Sequence, residues 1–524
     1  MALHPLHTID AIRDIEQTSY ASLPAFTLMQ RAGAAIADYA IALTKQTGQP
    51  PTVLILVGPG NNGGDALEAA SLLLQRNCKV FALLASSPEV LPADAAIAWQ
   101  HAQANGVIVL DMSDLVTLTQ TSWDLVIDGL FGIGLARPIT GTLAKLIHIV
   151  NRCTCPILAL DVPSGLNADT GNVVGAENGC AIVATHTLTF IADKPGLHTA
   201  HGRDHSGQVK VATLDIDLNH AQSAHMHLNA VADFAHCLQI RRHNTHKGSY
   251  GDTAILGGAA GMSGALILAT RTAAMLGSGR VFAAAIDHSN SFDVQYPEIM
   301  WRQATNLDYS GKILVLGPGL GTSDASCAAL LHALTSGDAP IVIDADALNI
   351  LATKPDLHKQ LQHHRAKILT PHPLEAARLL RCSTKEIQDD RINAARTLAA
   401  ETNAIVILKG SGSVIARPDG QISINPTGNP ALATAGTGDV LSGVCGALLA
   451  QGWPAWETAL AATWMHGTAA DQLVTRGIGP IGLLASECIP EIRAIFNQLI
   501  TQYKDGKSSL SPSATATPDD PLIS

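Results

Sequence analysis

The chain of 524 residues is 47% apolar and 15% charged, which excludes a disordered protein and a coiled-coil rod. A net charge of −11 leaves no basic footprint for nucleic acid, yet phosphate ligands stay open, because helix-start N–H groups bind anions without Lys or Arg. The nine Cys are scattered without a CxxC pair, so neither a zinc ribbon nor a disulfide framework is supported, and reduced thiols in a cytoplasm are expected. The N-terminus lacks the apolar stretch of a secretory signal, and no run of 18 apolar residues predicts a membrane span.

In chain order, AFTLMQRAGAAIADYAIAL (25–43) carries apolar residues at helical spacing and predicts a helix. TVLILVG (52–58) reads as a buried parallel strand and runs straight into a Gly-rich turn and helix, GPGNNGGDALEAASLLLQR (58–76). KVFALLA (79–85) is the next strand. WDLVIDGLFG (123–132) and CPILALDVPSG (155–165) each end in an acid and a Gly turn. This repetition predicts an α/β, Rossmann-like doubly wound domain over residues 1–225, with ligands at the carboxyl ends of its strands. The His- and Ala-rich stretch 215–234 marks the boundary.

A second α/β domain is expected over residues 235–500. Its predicted strands lie in HKGSYGDTAILGG (246–258), KILVLGPG (312–319), APIVIDADAL (339–348), AKILTPHP (366–373), AIVILKG (404–410) and SVIAR (413–417). GALILATRTAAMLG (264–277) and DVLSGVCGALLAQG (439–452) predict helices between them. Residues 505–524 are rich in Ser, Pro, Thr and Ala without periodicity and read as a disordered tail.

Three motifs fall on one sheet edge of the first block. NNGGD (61–65) opens a helix and offers an anion seat, but lacks the Lys of an NTP-hydrolysing P-loop. Asp128 and Asp161 end strands beside Gly turns, where an acid often only caps a helix. Three such sites together favour a shared pocket. Asn62, Asp128 and Ser164 offer oxygen ligands with one formal charge, which suits a weakly charged ion better than zinc.

GPGNNGGD, DGLFGIGLARP, LDVPSG and TFIADKPGLHTAHGRDHSGQV together resemble the YjeF N-terminal family of NAD(P)H-hydrate epimerases over about residues 10–225. The resemblance implies K+ held by Asn62, Asp128 and Ser164. It implies substrate contacts from Asn61, Asn62, Gly63, Gly64 and Asp65, from Gly132, Ile133, Gly134, Leu135, Ala136, Arg137 and Pro138, and from Asp161. Asp161 is the expected catalytic base. Where the family continues NNGGDG, this chain has Ala66, Leu67 and Glu68. Ala66 restricts the turn if a positive φ is needed there.

In the second block, GTGD within NPALATAGTGDVLSG (429–443) sets N–H groups and Asp439 at a helix start. That pattern suits phosphoryl transfer with a carboxylate removing a proton, although Thr437 and Asp439 also fit simple caps. With KGSGS (409–413) it resembles the ribokinase-like superfamily. HKGSYG (246–251), GPGLG (317–321), DADAL (344–348), TPHPLEAARL (370–379), WMHGTAAD (464–471) and IGLLASECIP (481–490) resemble the YjeF C-terminal family more specifically. That family comprises ADP-dependent NAD(P)H-hydrate dehydratases, ATP-dependent in eukaryotes. Leu374 and Glu487 depart from it, where Gly and Asp are common.

This resemblance implies nucleotide contacts from Lys409, Gly410, Ser411, Gly412, Ser413 and Gly438. It implies substrate contacts from Ala265, Gly319, Gly321, His372 and Asp439, with Asp439 catalytic, ADP as co-substrate and Mg2+ at the site. His372 between two prolines also fits a structural turn. Asp344 and Asp346 either orient metal-bound water or cap a helix. The expectation is a cytoplasmic, homo-oligomeric repair enzyme acting on the hydrates of NADH and NADPH (NADHX and NADPHX), without nucleic-acid or membrane partners. The alternatives are a ribokinase-like vitamin-precursor kinase and an N-terminal block that is a non-catalytic binding module.

Overall fold

The computed structural model describes residues 4–21, 23–44, 49–218, 225–287, 292–361 and 363–504. The expected tail, 505–524, lies outside the described residues. Contacts divide the chain into two units that are not linear in sequence. The first holds Ala2–Asn229 with Pro371–Pro426, the second Ala230–Thr370 with Thr427–Ser524.

In the first unit, β1 (His4–Pro5) precedes β2 (Thr52–Val57), β3 (Lys79–Leu84), β4 (Ile108–Leu110), β5 (Leu125–Gly129), β6 (Ile157–Leu160), β7 (His186–Phe190), β8 (Gln208–Ala212) and β9 (Met226–Leu228). Strands β2 to β8 form one parallel sheet in the order β4-β3-β2-β5-β6-β7-β8. Their apolar runs are buried because helices cover both faces. One core gathers Ile36, Leu67, Leu73, Ile55 and Ile127. The core on the other face gathers Leu54, Leu56, Val126, Leu146 and Ile147. The strand order reverses between β2 and β5, which makes their carboxyl ends the ligand position of such a sheet.

The second unit repeats the scheme with β10 (Asp252–Gly257), β11 (Arg280–Ala285), β12 (Met300–Gln303), β13 (Ile313–Leu316), β14 (Ile341–Ile343) and β15 (Lys367–Leu369). These pair in parallel in the order β12-β11-β10-β13-β14-β15. Here the reversal falls between β10 and β13. The helices Ser263–Met275 and Thr437–Ala450 approach closely, since a Cβ at Gly443 would stand 2.6 Å from the carbonyl oxygen of Ala269.

The strands β16 (Ile405–Leu408), β17 (Val414–Ala416) and β18 (Ile422–Ile424) belong to the first unit. They form an antiparallel meander whose last strand pairs in parallel with β9, and β9 pairs antiparallel with β1. The expected division was linear, at 1–225 and 235–500. The contact division departs from it because residues 371–426 bond to the N-terminal part. The Thr199 hydroxyl donates to Gly412 O at 3.0 Å, and Asn172 Nδ2 donates to the carbonyls of Gln388 and Asp389 at 2.8 and 2.9 Å.

Candidate active sites

At the carboxyl ends of β2 and β5 lies a cavity of about 400 Å³, walled by Asn61, Asn62, Asp65, Gly132, Ile133, Gly134, Leu135 and Asp161, together with Ile12, Arg13, Glu16, Phe131 and Ile191. The helix Asn61–Gln75 begins within the motif itself, so NNGGD is its first turn. Gly63 and Gly64 do not line the cavity; they allow close packing. A Cβ at Gly63 would stand 2.1 Å from Gly58 O, and one at Gly64 would stand 2.5 Å from Met29 Cε. Ala136, Arg137 and Pro138 also lie outside the lining.

Ala66 sits inside the helix, fully buried and without a positive φ, so the expected restriction does not arise. Glu68 is buried and its Oε2 lies 3.0 Å from His101 Nδ1.

Asp161 follows β6 with φ 65°, a left-handed conformation that costs a non-Gly residue about 1–3 kcal/mol. Its N–H donates to Leu188 O at 2.8 Å, while the Val162 N–H turns back to Leu160 O. Its Oδ2 lies 3.2 Å from where a Cβ on Gly132 would stand, so any side chain at Gly132 would crowd this carboxylate. Asp161 Oδ1 pairs with Lys194 Nζ at 2.7 Å. The Lys194 side chain is wholly buried, and its ammonium also donates to Thr189 Oγ1, Phe190 O and Ala192 O at 2.7, 3.1 and 3.2 Å. Lys194 lies within the quoted motif TFIADKPGLHTAHGRDHSGQV, yet sequence reasoning gave it no role. Only the β6–β7 pairing brings it to Asp161. Burial, then the charges of Asp161, Glu16 and Asp94, push the Asp65 carboxyl well above the usual range. Glu16 is raised likewise by burial and Asp161. The cavity thus combines an ion pair with carboxyl groups that favour holding a proton, a proton-transfer arrangement.

Beside it, Asp128 at the end of β5 is fully buried, and burial lifts its pKa to about 6. The Ser164 hydroxyl and N–H donate to its two oxygens at 2.7 and 2.8 Å, and Leu130 N–H at 3.3 Å. The amide oxygen and nitrogen of Asn62 are both buried without a partner. An orphaned buried amide is costly unless something is bound there. Asn62, Asp128 and Ser164 present only oxygen and neutral nitrogen atoms, and this set fits a singly charged cation. Among the described residues, no group of three or more His, Cys, Asp or Glu converges to hold a metal.

In the second unit, Asp439 occupies the first turn of the helix Thr437–Ala450, whose N-cap Gly436 has φ 90°. The turn leaves helix-start N–H groups facing outward, an anion seat. Gly319 and Gly321, at φ 59° and 69°, follow β13, and a Cβ on Gly319 would stand 3.1 Å from the Ala265 Cβ. Gly319 and Ala265 therefore meet at the strand reversal, while a Cβ on Gly321 would stand 3.3 Å from the Ala259 Cβ. Asp344 caps the helix Ala345–Thr353 and accepts the Ser442 hydroxyl; Asp346 accepts the Gly321 N–H at 2.8 Å. Both carboxylates serve protein donors, and Asp344 fills the capping role expected as one of its two alternatives.

His372 and residues 409–413 belong to the first unit. His372 is the N-cap of the helix Pro373–Leu380: its Nδ1 accepts from Leu374 and Glu375 N–H at 3.1 and 3.3 Å, and Glu375 accepts the His372 N–H at 2.7 Å. Glu375 Oε2 also lies 3.9 Å from Lys409 Nζ. The structural role expected as an alternative for His372 is thus present. Gly410 takes φ 148° beside the buried Arg391, whose Nη2 donates to Leu408 O and Lys409 O. The Ser411 hydroxyl is committed to Ala200 O at 2.9 Å. Leu374 is exposed, and Glu487 accepts the Leu484 N–H at 2.7 Å, so both departures are locally accommodated.

A family profile described as NAD(P)H-hydrate dehydratase matches residues 253–491, and one described as YjeF-related protein N-terminus matches residues 25–196. The chain is 37% identical over 467 residues to the bifunctional NAD(P)H-hydrate repair enzyme Nnr of Escherichia coli (strain K12), covering 87% of both chains. It is 38% identical over 509 residues to the protein of the same name in Vibrio cholerae serotype O1, covering 94% of this chain and 98% of that one. Among solved structures it resembles the ADP/ATP-dependent NAD(P)H-hydrate dehydratase of Bacillus subtilis, co-crystallized with ATP/Mg2+, at 29% identity and a TM-score of 0.46, covering 52% of this chain and 98% of that one. No helix among the described residues is long and apolar enough to cross a membrane.

Proposed function

We propose a division of labour for this chain, which belongs to the bifunctional NAD(P)H-hydrate repair enzymes. The first unit's cavity interconverts the R and S hydrates, and Asp439 serves the dehydration of the S form. Relatives bearing the repair name match over most of their length, which favours this reading over a vitamin-precursor kinase with a non-catalytic module. The observation that carries the epimerase assignment is the Asp161 carboxylate on the cavity wall, ion-paired with the buried Lys194.

Epimerisation at C6 of the hydrated nicotinamide requires its hydroxyl to leave and water to return on the other face. Asp161 gives and takes the proton of that water, and Lys194 holds the carboxylate in place and compensates its charge. The cavity walls Asn61, Asn62, Asp65, Gly132, Ile133, Gly134 and Leu135 orient the substrate. Asn62, Asp128 and Ser164 would hold K+, which would supply positive charge for an anionic substrate.

For dehydration, hydroxide is a poor leaving group and phosphate a good one. Asp439 accepts the proton of the C6 hydroxyl as that oxygen attacks the β-phosphorus of ADP and the bond to the AMP oxygen breaks. Helix-start N–H groups, Gly438 among them, stabilise the charge on the transferred phosphoryl group. Phosphate then leaves with electrons pushed from the ring nitrogen, C5 loses its proton, and NAD(P)H, AMP and phosphate result. Ala265, Gly319 and Gly321 are assigned to the substrate. His372, Lys409, Gly410 and Ser413 are assigned to substrate and nucleotide by resemblance alone. Mg2+, entering with the nucleotide, would supply further positive charge for the transferred phosphoryl group. The chain acts in the cytoplasm as a homo-oligomer.

The test incubates the protein with mixed R and S NADPH hydrate and ADP and follows absorbance at 340 nm. Complete recovery of NADPH supports both activities. Recovery of the S fraction alone, with R consumed no faster than it epimerises spontaneously, sinks the epimerase assignment.

A further inference from the structure

Asp193 lies outside the cavity lining, between the N-terminal segment and the segment that carries Lys194, and takes no part in the reaction described above. It is 4% exposed. Its carboxylate contacts His4 Nε2 at 2.7 Å and His198 Nε2 at 2.8 Å, and accepts the Lys194 N–H at 2.7 Å. Its carbonyl accepts the His7 N–H at 2.9 Å. His4 leads into the helix Ile9–Tyr20, which carries Arg13 and Glu16 to the cavity. On the other side, Lys194 begins a buried turn, Pro195–Leu197, that ends at His198. One buried carboxylate therefore ties the N-terminal wall to the segment that presents Lys194.

An apolar side chain would fill this space without the desolvation penalty of a buried carboxylate. What the carboxylate adds is direction, because charge-assisted hydrogen bonds fix angles that apolar packing leaves loose. We propose that Asp193 is a positioning residue of the epimerase site, fixing Lys194 against Asp161 through His198 and the Arg13–Glu16 face over the cavity through His4. The inference rests on the reading of this cavity as the epimerase site.

The charged and titratable groups facing Asp193 are His4, His7, His198 and Lys194, with Asp161 beyond Lys194. The hydrogen bond to Asp193 raises His4, while burial and then Lys194 lower His7. Burial alone would raise Asp193, but His198 and His4 hold it below the usual carboxylate range. As His4 loses its proton its link to Asp193 passes from an ionic to a neutral hydrogen bond, and the N-terminal segment is held less firmly over the cavity.

The experiment follows interconversion of purified R-NADPH hydrate by chromatography in the full chain, without nucleotide, across about pH 5.5 to 8.5. Asp193→Asn is expected to lower kcat about 10-fold with a smaller change in KM, as a small misplacement of a reacting group does. His4→Ala is expected to act mainly on KM. His4→Gln keeps a donor without a titration and is expected to flatten the alkaline rise in KM. Wild-type kcat and an unchanged pH profile in Asp193→Asn would overturn the proposal. If Asp193→Asn does not fold, a pH profile in His4→Gln that matches the wild type's overturns it instead. Asp161→Ala, run in parallel, separates the two readings. If it still interconverts the hydrates, the cavity assignment fails and this inference with it; if it is inactive while Asp193→Asn is wild-type, this inference alone fails.

Discussion

The Thr199 hydroxyl donates to the carbonyl oxygen of Gly412 at 3.0 Å, and Gly412 takes φ 58° where the two connecting segments meet. A Cβ there would stand 2.0 Å from His198 O. This joint makes residues 371–426 part of the same unit as the N-terminal sheet. Gly412→Ala should therefore cost about 2–4 kcal/mol, from the left-handed backbone and the forced shift of neighbours. Thr199→Val should cost about 1–2 kcal/mol for the lost donor. Urea denaturation of the two variants checks both figures. A Gly412→Ala midpoint equal to the wild type's would show that the joint gives way easily.

Lys194 and Asp161 are a buried pair, and removing one partner strands the other. Lys194→Met should destabilise the protein by about 3–5 kcal/mol, because an uncompensated carboxylate remains. Interconversion of R and S hydrates should fall about 100-fold or more if the pair moves the proton. Dehydration of pure S hydrate measured on the same sample separates chemistry from unfolding, since it should persist at temperatures where the variant stays folded.

The sequence made some of this legible and hid the rest for identifiable reasons. Apolar runs such as TVLILVG announced parallel strands because both sheet faces are covered. Acids at strand ends marked the ligand edge, and Asn61, Asn62, Asp65 and Asp161 do meet there. Lys194 escaped a role because its partnership spans two strands that only the fold brings side by side. Gly63 and Gly64 are expected as substrate contacts by resemblance; what pattern could not show is that their missing Cβ atoms admit Gly58 and Met29. Contacts such as Asn172 to Gln388 link positions far apart in the chain, and local pattern carries no trace of them.

Asp128 and Ser164 make a specific ion prediction. The Ser164 hydroxyl and N–H compensate a carboxylate buried completely, and Asn62 has unpaired amide atoms. If these residues hold K+, KCl should raise the Tm more than NaCl at equal ionic strength, by mass action on the folded state. Ser164→Ala should cost about 1–3 kcal/mol and remove the difference between the salts. Equal response to both salts in the wild type would rule out a selective site.

Asp439 is the proton acceptor assigned to dehydration. Asp439→Asn keeps the shape of the first helical turn and loses the base. Turnover of S hydrate should fall by about 10²–10⁴-fold, while ADP affinity by calorimetry stays within a few-fold. Loss of ADP binding in step with turnover would instead make Asp439 a binding residue.

The His4–Asp193 contact gives stability a pH dependence whose sign follows from the direction of each shift. His4 is raised above its ordinary 6.5 by its hydrogen bond to Asp193, so its contribution is fully present below that value. The contribution is lost as pH rises through the raised value. Asp193 is held below the usual carboxylate range, so its contribution is present above about pH 4 and fails only in stronger acid. Between those limits the clamp has both charges. The Tm difference between wild type and His4→Ala should be largest near pH 5.5 and shrink toward pH 8.5. A difference that grows on the alkaline side would mean that His4 holds Asp193 only as a neutral donor, and that the N-terminal strand β1 is secured by its pairing with β9 instead.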